Sequence, residues 1–352
     1  MTFEEFLVRL LYPALVFVLP SERWAAIYFM TGLLAAFYVF WRFAERGPDG
    51  NRDVAKKRGF LRFLFPAEIW THPSARADYS FFIVNKLLLI FVVGYFALSA
   101  ETFAAWLGAV FEGQFGPAGT AAPHWGWAVV TTLAVAAALD FGLWFAHYLL
   151  HRIPFLWELH KVHHSAEVMT PFTAARVHPL EDLFAATLGA LTAGTAYALS
   201  GHLLGPAAHE LTLFQTNVVL IGFFFAAFVL RHSHVWLAYP VWLQHILISP
   251  AQHHIHHSAE RRHWDKNMGF VFAIWDWAAG TLYAPKTYER ITFGLGNGDG
   301  EEVKFRRLRN LYLLPLENMT AMVKRTVMPR RATSDAGVKS ETEGLGGTAA
   351  NS

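Results

Sequence analysis

Histidine is concentrated in two short stretches of this chain. Of the 18 histidines, six fall within residues 147–178 and eight within residues 232–263. Neutral imidazole is a common ligand of zinc, iron, copper and nickel. Unpaired imidazoles in apolar surroundings cost free energy, so ordinary packing does not account for such a concentration. The two stretches therefore predict a metal site.

The spacing within the stretches sharpens this prediction. HYLLH (147–151) places two histidines four residues apart, on one face of a helix. HKVHH (160–164) and HHIHH (253–257) share the pattern H-x-x-H-H. There, we expect the i and i+3 rings to point the same way and the adjacent ring about 100° away. The pattern can serve two neighbouring ions or hold one from two directions. Together with His232 of RHSH, the predicted ligands are His147, His151, His160, His163, His164, His232, His253, His256 and His257.

Other residues near these groups are candidates for supporting roles. His178, His234 and His254 could be additional ligands or could hold the ligands by hydrogen bonds. Asp140 lies two helical turns before His147 in the apolar run AVAAALDFGLWFAH. An acid at that depth is a functional candidate, and the alternative is a polar contact between helices. Weaker candidates for balancing the charge of the ions are Glu158, Glu181, Asp182 and Asp276.

The composition is that of a membrane protein. The 352 residues are 54% hydrophobic and only 16% charged, whereas soluble domains have about 25% charged residues. The net charge of +2 gives no case for a nucleic-acid partner. The absence of cysteine excludes disulfides, iron–sulfur clusters, thiolate-bound haem and cysteine-type zinc sites. Any metal must rest on histidine and carboxylate, and any electrons must come from outside.

Hydropathy predicts an all-α fold, a polytopic membrane helix bundle with a cytosolic, histidine-rich helical cap. The predicted spans are 24–41, 81–111, 125–150, 183–204 and 211–230. Residues 6–20 and 235–249 are predicted to lie in the interface. The basic loop 42–79 is predicted to be cytoplasmic by the positive-inside rule. Counting crossings from that loop places both histidine stretches on the cytoplasmic face.

We predict four regions along the chain. Residues 1–120 form N-terminal membrane helices and the basic loop, and residues 121–290 form the histidine-rich catalytic domain with its membrane helices. Residues 291–330 are a cytosolic C-terminal segment. Residues 331–352 are small, polar and rich in Gly, Ser, Thr and Ala, which is typical of a disordered tail.

The three histidine groups resemble the histidine boxes of the fatty acid hydroxylase/sterol desaturase superfamily, whose members are integral-membrane, non-haem di-iron oxygenases. RVHPLED (176–182) and NMGFVFAIWDWAAGTLYAP (267–285) also resemble family features, so the likeness covers about residues 130–285. By box position, the residues that correspond to iron ligands are His147, His151, His160, His163, His164, His253, His256 and His257, together with His232. RHSH departs from the family pattern, because relatives often have asparagine where His234 stands.

The resemblance implies two iron ions that use O2 and two external electrons to hydroxylate or desaturate a C–H bond of a lipid taken from the bilayer. A fused haem domain is not evident in the sequence. The electrons are therefore expected from a separate reductase with a ferredoxin or cytochrome. The sequence does not choose among a sterol, an acyl chain or another lipid, or between alcohol and alkene as product.

Two other functions use the same histidines. A zinc-dependent membrane hydrolase would need only three or four ligands per ion, fewer than this chain offers. A metal transporter would place its ligands near the bilayer midplane on broken helices, whereas the histidine groups are predicted at one membrane face. A metal sensor is a further alternative in that class.

Overall fold

The computed structural model describes residues 15–44, 59–91, 98–226, 228–296 and 298–327. This part of the chain is mostly helical, with one antiparallel pair of two-residue strands, β1 (Thr212–Leu213) and β2 (Thr216–Asn217). The predicted disordered tail at 331–352 and most of the predicted interfacial segment at 6–20 lie outside the described residues. The predicted domain limits at residues 120 and 290 stay predictions. The helices in chain order are α1 (Ala26–Ala44), α2 (Phe60–Leu64), α3 (Ala67–Trp70), α4 (Pro73–Phe91), α5 (Ala100–Phe115), α6 (Trp125–Arg152), α7 (Pro154–His164), α8 (Pro179–Leu204), α9 (Val218–Phe225), α10 (Pro250–His256), α11 (Ile274–Ala279) and α12 (Leu308–Val327).

Two of the described helices are long and apolar enough to cross a membrane. They are α6, with 28 residues, and α8, which a short 3-10 turn extends to Ala207. The two helices pack closely because Gly142 faces the Leu188 carbonyl of α8, where an added Cβ would lie 2.7 Å from that oxygen. Small residues of this kind let membrane helices approach each other. The apolar part of α1, Ala26–Arg42, is shorter.

The break between α6 and α7 brings the first two histidine groups together. Ile153 precedes Pro154 and is extended, with φ −102° and ψ 111°. Proline disfavours the helical conformation of the residue before it but suits the first position of the next helix. The chain therefore turns after HYLLH, and α7 folds HKVHH back against the end of α6.

Two of the predicted spans differ in the structure. The predicted span 81–111 includes the end of α4 and the start of α5, with residues 92–97 outside the described part. The prediction of a continuous helix over 211–230 was wrong, because β1, β2, the eight-residue α9 and a 3-10 turn (Phe228–His232) occupy this stretch. Asn217 starts α9 by accepting a hydrogen bond from the Val219 N–H, and its Nδ2 donates to the Thr132 carbonyl. Hydropathy detects the apolar character of this stretch, but it does not detect the polar contacts of Asn217 that interrupt the helix.

Candidate metal centre

All nine predicted ligands converge in two adjacent groups. In each group one ring nitrogen per residue lies within 4.8 Å of the others. The five-histidine group consists of His147, His151, His160, His164 and His256. The four-histidine group consists of His163, His232, His253 and His257.

The helical spacing divides the H-x-x-H-H patterns between the two groups. His160 and His164, four residues apart, share the five-histidine group, whereas His163 belongs to the four-histidine group. HHIHH divides in the same way, with His253 and His257 in the four-histidine group and His256 in the five-histidine group. The prediction that the i and i+3 rings point together was wrong, since at 3.6 residues per turn i+4 is nearer in angle than i+3. The pattern serves two neighbouring sites.

The Nε2 atoms of adjacent rings face each other inside each group. Their separations are 2.8–3.3 Å. On the outer side of the rings, the Nδ1 atoms of His147 and His256 each lie 2.7 Å from a backbone carbonyl oxygen, of Met268 and Lys266 respectively. A carbonyl oxygen only accepts, so these Nδ1 atoms donate and the Nε2 atoms of the neutral rings carry lone pairs.

In the five-histidine group, facing lone pairs repel unless a cation lies between them, so these donors suit a bound metal ion. Burial favours the neutral rings that metal binding requires. It lowers the pKa of His163 to about 3, and the pKa values of His160 and His256 lie well below their ordinary value for the same main reason. Because the donors are imidazoles alone, the groups suit iron, zinc or another transition metal, and not magnesium or calcium.

Two carboxylates contact rings of the five-histidine group. The Glu181 Oε1 lies 2.6 Å from the Nδ1 of His160, and both side chains are buried. The Asp265 Oδ1 lies 3.2 Å from the Nδ1 of His151. Carboxylates in this position orient the ring and increase its basicity as a ligand. Glu181 was among the sequence candidates. Asp265 was not, because its position between Trp264 and Lys266 does not distinguish it from other acidic residues.

Asp140 supports the histidines indirectly, through the backbone of a neighbouring segment. Its carboxylate accepts hydrogen bonds from the Val271 N–H (2.6 Å), the Phe272 N–H (3.0 Å) and the Trp275 Nε1–H (2.9 Å), and within the described part of the chain it contacts none of the nine rings. It therefore holds the segment 268–272, which supplies the carbonyl partner of His147.

Asp276 holds the same segment from its other end. Its carboxylate accepts hydrogen bonds from the backbone N–H groups of Met268 (3.0 Å) and Gly269 (2.7 Å). The two other acidic candidates have different surroundings. Glu158 pairs with Lys161 at 2.8 Å, and Asp182 follows Glu181 in the first turn of α8 without a place in either group.

The three additional histidine candidates lie outside both groups. Each directs Nε2 at a backbone carbonyl: His178 at Tyr312 (3.1 Å), His234 at Phe63 (2.7 Å) and His254 at Leu230 (3.1 Å). Their ring nitrogens thus connect the segments around the groups. His178 also begins α8, because its Nδ1 accepts a hydrogen bond from the Leu180 N–H.

Arg231 is a residue of the site that the sequence analysis missed. It is buried and donates to the carbonyls of Phe270 (2.5 Å) and Gly269 (3.0 Å) and to the Nδ1 of His253 (3.0 Å). Its guanidinium also lies 5.6 Å from the centre of the Phe223 ring. The available signal was an arginine at the end of an apolar run, next to His232.

Cavities adjoin the site on two sides. One of about 190 Å³ reaches His147 and extends along apolar side chains such as Leu143, Phe228 and Phe270. Because Leu143 lies one turn before His147, this cavity points into the apolar part of α6. The other, of about 350 Å³, reaches the five-histidine group and is lined on its outer side by Trp157, Lys161, Trp264 and Asp265.

In a comparison with known protein families, residues 132–281 match the model of the fatty acid hydroxylase family. Human alkylglycerol monooxygenase is 29% identical over 157 residues, which cover 45% of this chain and 31% of that protein. Ornithine lipid hydroxylase OlsE of Rhizobium tropici is 29% identical over 162 residues, 46% of this chain and 44% of that protein. The very-long-chain aldehyde decarbonylase GL1-1 of rice is 32% identical over 172 residues, covering 46% and 25%. The matched region thus spans less than half the length of each of these relatives. No solved structure matches the chain significantly.

Proposed function

Because residues 132–281 belong to the fatty acid hydroxylase family, we propose that this protein is a membrane-bound, O2-dependent oxidoreductase that acts on a lipid through a pair of iron ions. One observation carries the proposal: nine buried or half-buried imidazoles converge as one group of five and one of four. This number suits two ions with four or five ligands each.

Iron is the metal that this proposal requires. Bound iron would supply the activation of O2 and the removal of hydrogen from an unactivated C–H bond, which zinc does not offer. Zinc sites also normally use three or four protein ligands. The chain itself would keep the imidazoles neutral, fix their orientation through carbonyl and carboxylate partners, and hold the substrate. With no cysteine in the chain, the electrons would come from a separate reductase with a ferredoxin or cytochrome.

The apolar cavity supports a lipid substrate. Its walls combine ring edges of both groups with Leu143, Leu150 and Phe270. These apolar side chains would exclude water from a hydrocarbon segment placed beside the histidines, although Arg23, Glu181, Asp182 and Arg231 also line the cavity and can bind a polar group. Among the relatives, one is named for an alkylglycerol and one for an ornithine lipid. Both names denote oxygen insertion, so we propose hydroxylation ahead of desaturation for this chain.

The histidine groups lie at the C-terminal end of the apolar helix α6 and beside the N-terminal end of α8. Most residues that line the cavity near Trp157 and Trp264 come from outside these two helices. We propose that the histidine groups lie where the membrane helices meet the cytoplasm, as the basic loop at 42–79 predicts. Electrons and O2 would then arrive on the side away from the bilayer.

The decisive experiment combines iron counting with lipid mass spectrometry. Purified protein should hold about two irons, and cells producing the chain should accumulate a lipid heavier by one oxygen, under air but not under argon. His163→Ala should lose iron and activity together, because His163 belongs to the four-histidine group. His245→Ala is the matched control, since the one hydrogen bond of this ring within the described part of the chain is to the Val241 carbonyl and the ring lies outside both groups.

The outcomes separate the alternatives. Full activity in His163→Ala would refute the assignment of the site. Activity that persists under argon would favour a zinc hydrolase, and metal uptake into vesicles without any change in lipids would favour a transporter. Loss of two hydrogens in place of a gained oxygen would identify a desaturase, leaving the oxidoreductase class intact.

A further inference from the structure

We propose that the two histidine groups are unequal cation sites, the five-histidine group being filled first and the four-histidine group being filled second and emptied first. The inference rests on the proposed function in one respect, namely that both groups bind a metal ion. It is based on two differences between the groups: the sign of the charge beside each group, and the number of hydrogen bonds that hold its rings.

The five-histidine group is supported by negative charge. The carboxylates of Glu181 and Asp265 contact two of its rings at Nδ1, at 2.6 and 3.2 Å. Two further rings, those of His147 and His256, donate to backbone carbonyls at 2.7 Å. Four of the five rings are thus held with Nδ1 outward, and an ionised, buried Glu181 would balance part of the charge of a cation bound there. Both effects favour tight binding.

The four-histidine group has weaker support. Among the described residues, its one contact between an Nδ1 and a backbone carbonyl is the 3.2 Å contact from His163 to Arg176. The Nδ1 of His257 is buried without a hydrogen-bond partner among the described residues. The Nδ1 of His253 accepts from Arg231, since a guanidinium only donates. A neutral His253 ring then carries its proton on Nε2, which lies 2.8 Å from the Nε2 of His232. A cation entering this group must displace that proton or turn the ring.

Arg231 adds a positive charge beside the same group. Its hydrogen-bond partners among the described residues are two carbonyl oxygens and the His253 ring, and none is a carboxylate. Asp140 and Asp276, the acids of the neighbouring segment, use their oxygens on backbone N–H groups. These acids offset part of the guanidinium charge, but because neither contacts the guanidinium directly, a net repulsion of a nearby cation remains. Arg231 therefore weakens metal binding in the four-histidine group.

The order of filling has a consequence for the protein. Three rings of the four-histidine group and two of the five-histidine group line the apolar cavity, so the ion held more loosely would also lie next to the proposed substrate. The fraction of active protein would then follow the occupancy of this second site, and a fall in free iron would inactivate the protein while the first ion stays bound.

The test is an anaerobic titration of the metal-free, full-length protein in detergent with Fe²⁺ at buffered free concentrations, repeated with Co²⁺ as a spectroscopic probe. We expect two binding steps whose affinities differ by at least about tenfold. Glu181→Gln keeps an oxygen for the His160 N–H but removes the charge, and it should weaken the tighter step by about 10–100-fold. Arg231→Gln should strengthen the weaker step by about tenfold.

Matched controls remove the same charges elsewhere. Glu112→Gln alters an exposed carboxylate of α5, which lines neither cavity, and Arg262→Gln alters an exposed arginine. Both should leave the two steps unchanged. Two equal steps, or a Glu181→Gln variant that affects both steps alike, would overturn the inequality and leave the two-metal function standing. Binding of fewer than two ions would overturn the proposed function itself. Should Arg231→Gln fail to fold, the wild-type titration and Glu181→Gln still decide the question.

Discussion

The strongest structural prediction concerns Asp140, which holds the loop that orients a proposed ligand. We consider Asp140→Asn, a change of charge with almost no change of shape. The carboxylate accepts three hydrogen bonds, two from the backbone of Val271 and Phe272 and one from the indole of Trp275. An asparagine in the best of its two orientations places its NH2 group against the Val271 N–H. At least one buried donor is then unsatisfied, and the two remaining bonds lose the contribution of the charge.

The cost follows from these contacts. A buried donor left without a partner costs about 1–3 kcal/mol, and the weakening of two charge-assisted bonds adds about 1 kcal/mol. We expect Asp140→Asn to lower the free energy of unfolding by about 2–4 kcal/mol. Released from Val271, the loop would also shift the Met268 carbonyl that His147 contacts. We therefore expect metal affinity in the five-histidine group to fall by about tenfold.

Trp275→Phe is the matched control for this change. It removes the indole donor but leaves both backbone bonds of Asp140 in place, so it should cost only about 0.5–1.5 kcal/mol and should not alter metal affinity. Thermal unfolding followed by tryptophan fluorescence and Fe²⁺ titration in detergent measure the two effects. If Asp140→Asn unfolds and binds metal like the wild type, or if Trp275→Phe weakens metal binding equally, the loop does not position the ligand.

Three further predictions follow from packing and charge. Gly142→Ala should destabilise the protein by about 1–3 kcal/mol by forcing α6 away from α8, whereas Gly201→Ala, with no atom near its added Cβ, should be neutral or stabilising in the same thermal assay. Asp78→Asn leaves the buried Arg176 without its ion-pair partner at 2.6 Å and should cost about 3–5 kcal/mol in chemical unfolding, unlike the loss of an exposed ion pair. The metal-free protein should lose stability as pH falls below about 6.5, because the pKa of His163 is about 3 in the folded state while unfolded histidine binds its proton near 6.5. Such lowered pKa values each contribute up to about 1.4 kcal/mol per pH unit, and a flat profile between pH 7.5 and 5 would contradict the burial of these rings as neutral imidazoles.

The sequence was most informative where chemistry depends on local spacing. The nine ligand candidates could be selected because helical periodicity decides which side chains share a face, and prolines fix where the helices begin. Pro154 and Pro250 occupy the first turns of α7 and α10. Ser249 and Gln252 add a capping box to α10. The rotational position of each histidine group is therefore set by residues beside it.

The partners of the histidines could not be read in this way, because they come from distant parts of the chain. Asp265 reaches His151 across 114 residues, and Arg231 reaches His253 across 22. An acid near an exposed loop and an arginine near an apolar run each have many ordinary explanations in a sequence. The prediction of a helix over 211–230 failed for a related reason: the polar contact that interrupts it joins Asn217 to Thr132, 85 residues away.

The segment 176–182 shows how the two kinds of information combine at this site. Arg176 donates to the Val162 carbonyl of α7 at 2.9 Å and forms its buried ion pair with Asp78 of α4, so the helix that carries HKVHH is fixed from outside. His178 then starts α8, and this start places Glu181 in the first turn, within 2.6 Å of His160. A negative charge is favoured at a helix N-terminus in any case, so α8 lowers the cost of burying the carboxylate that the five-histidine group uses. A change that delays the start of α8 should therefore weaken metal binding at His160 even though no ligand is altered. Pro179→Gly tests this, because it removes the conformational restriction at the first turn and keeps every side chain that contacts the histidines.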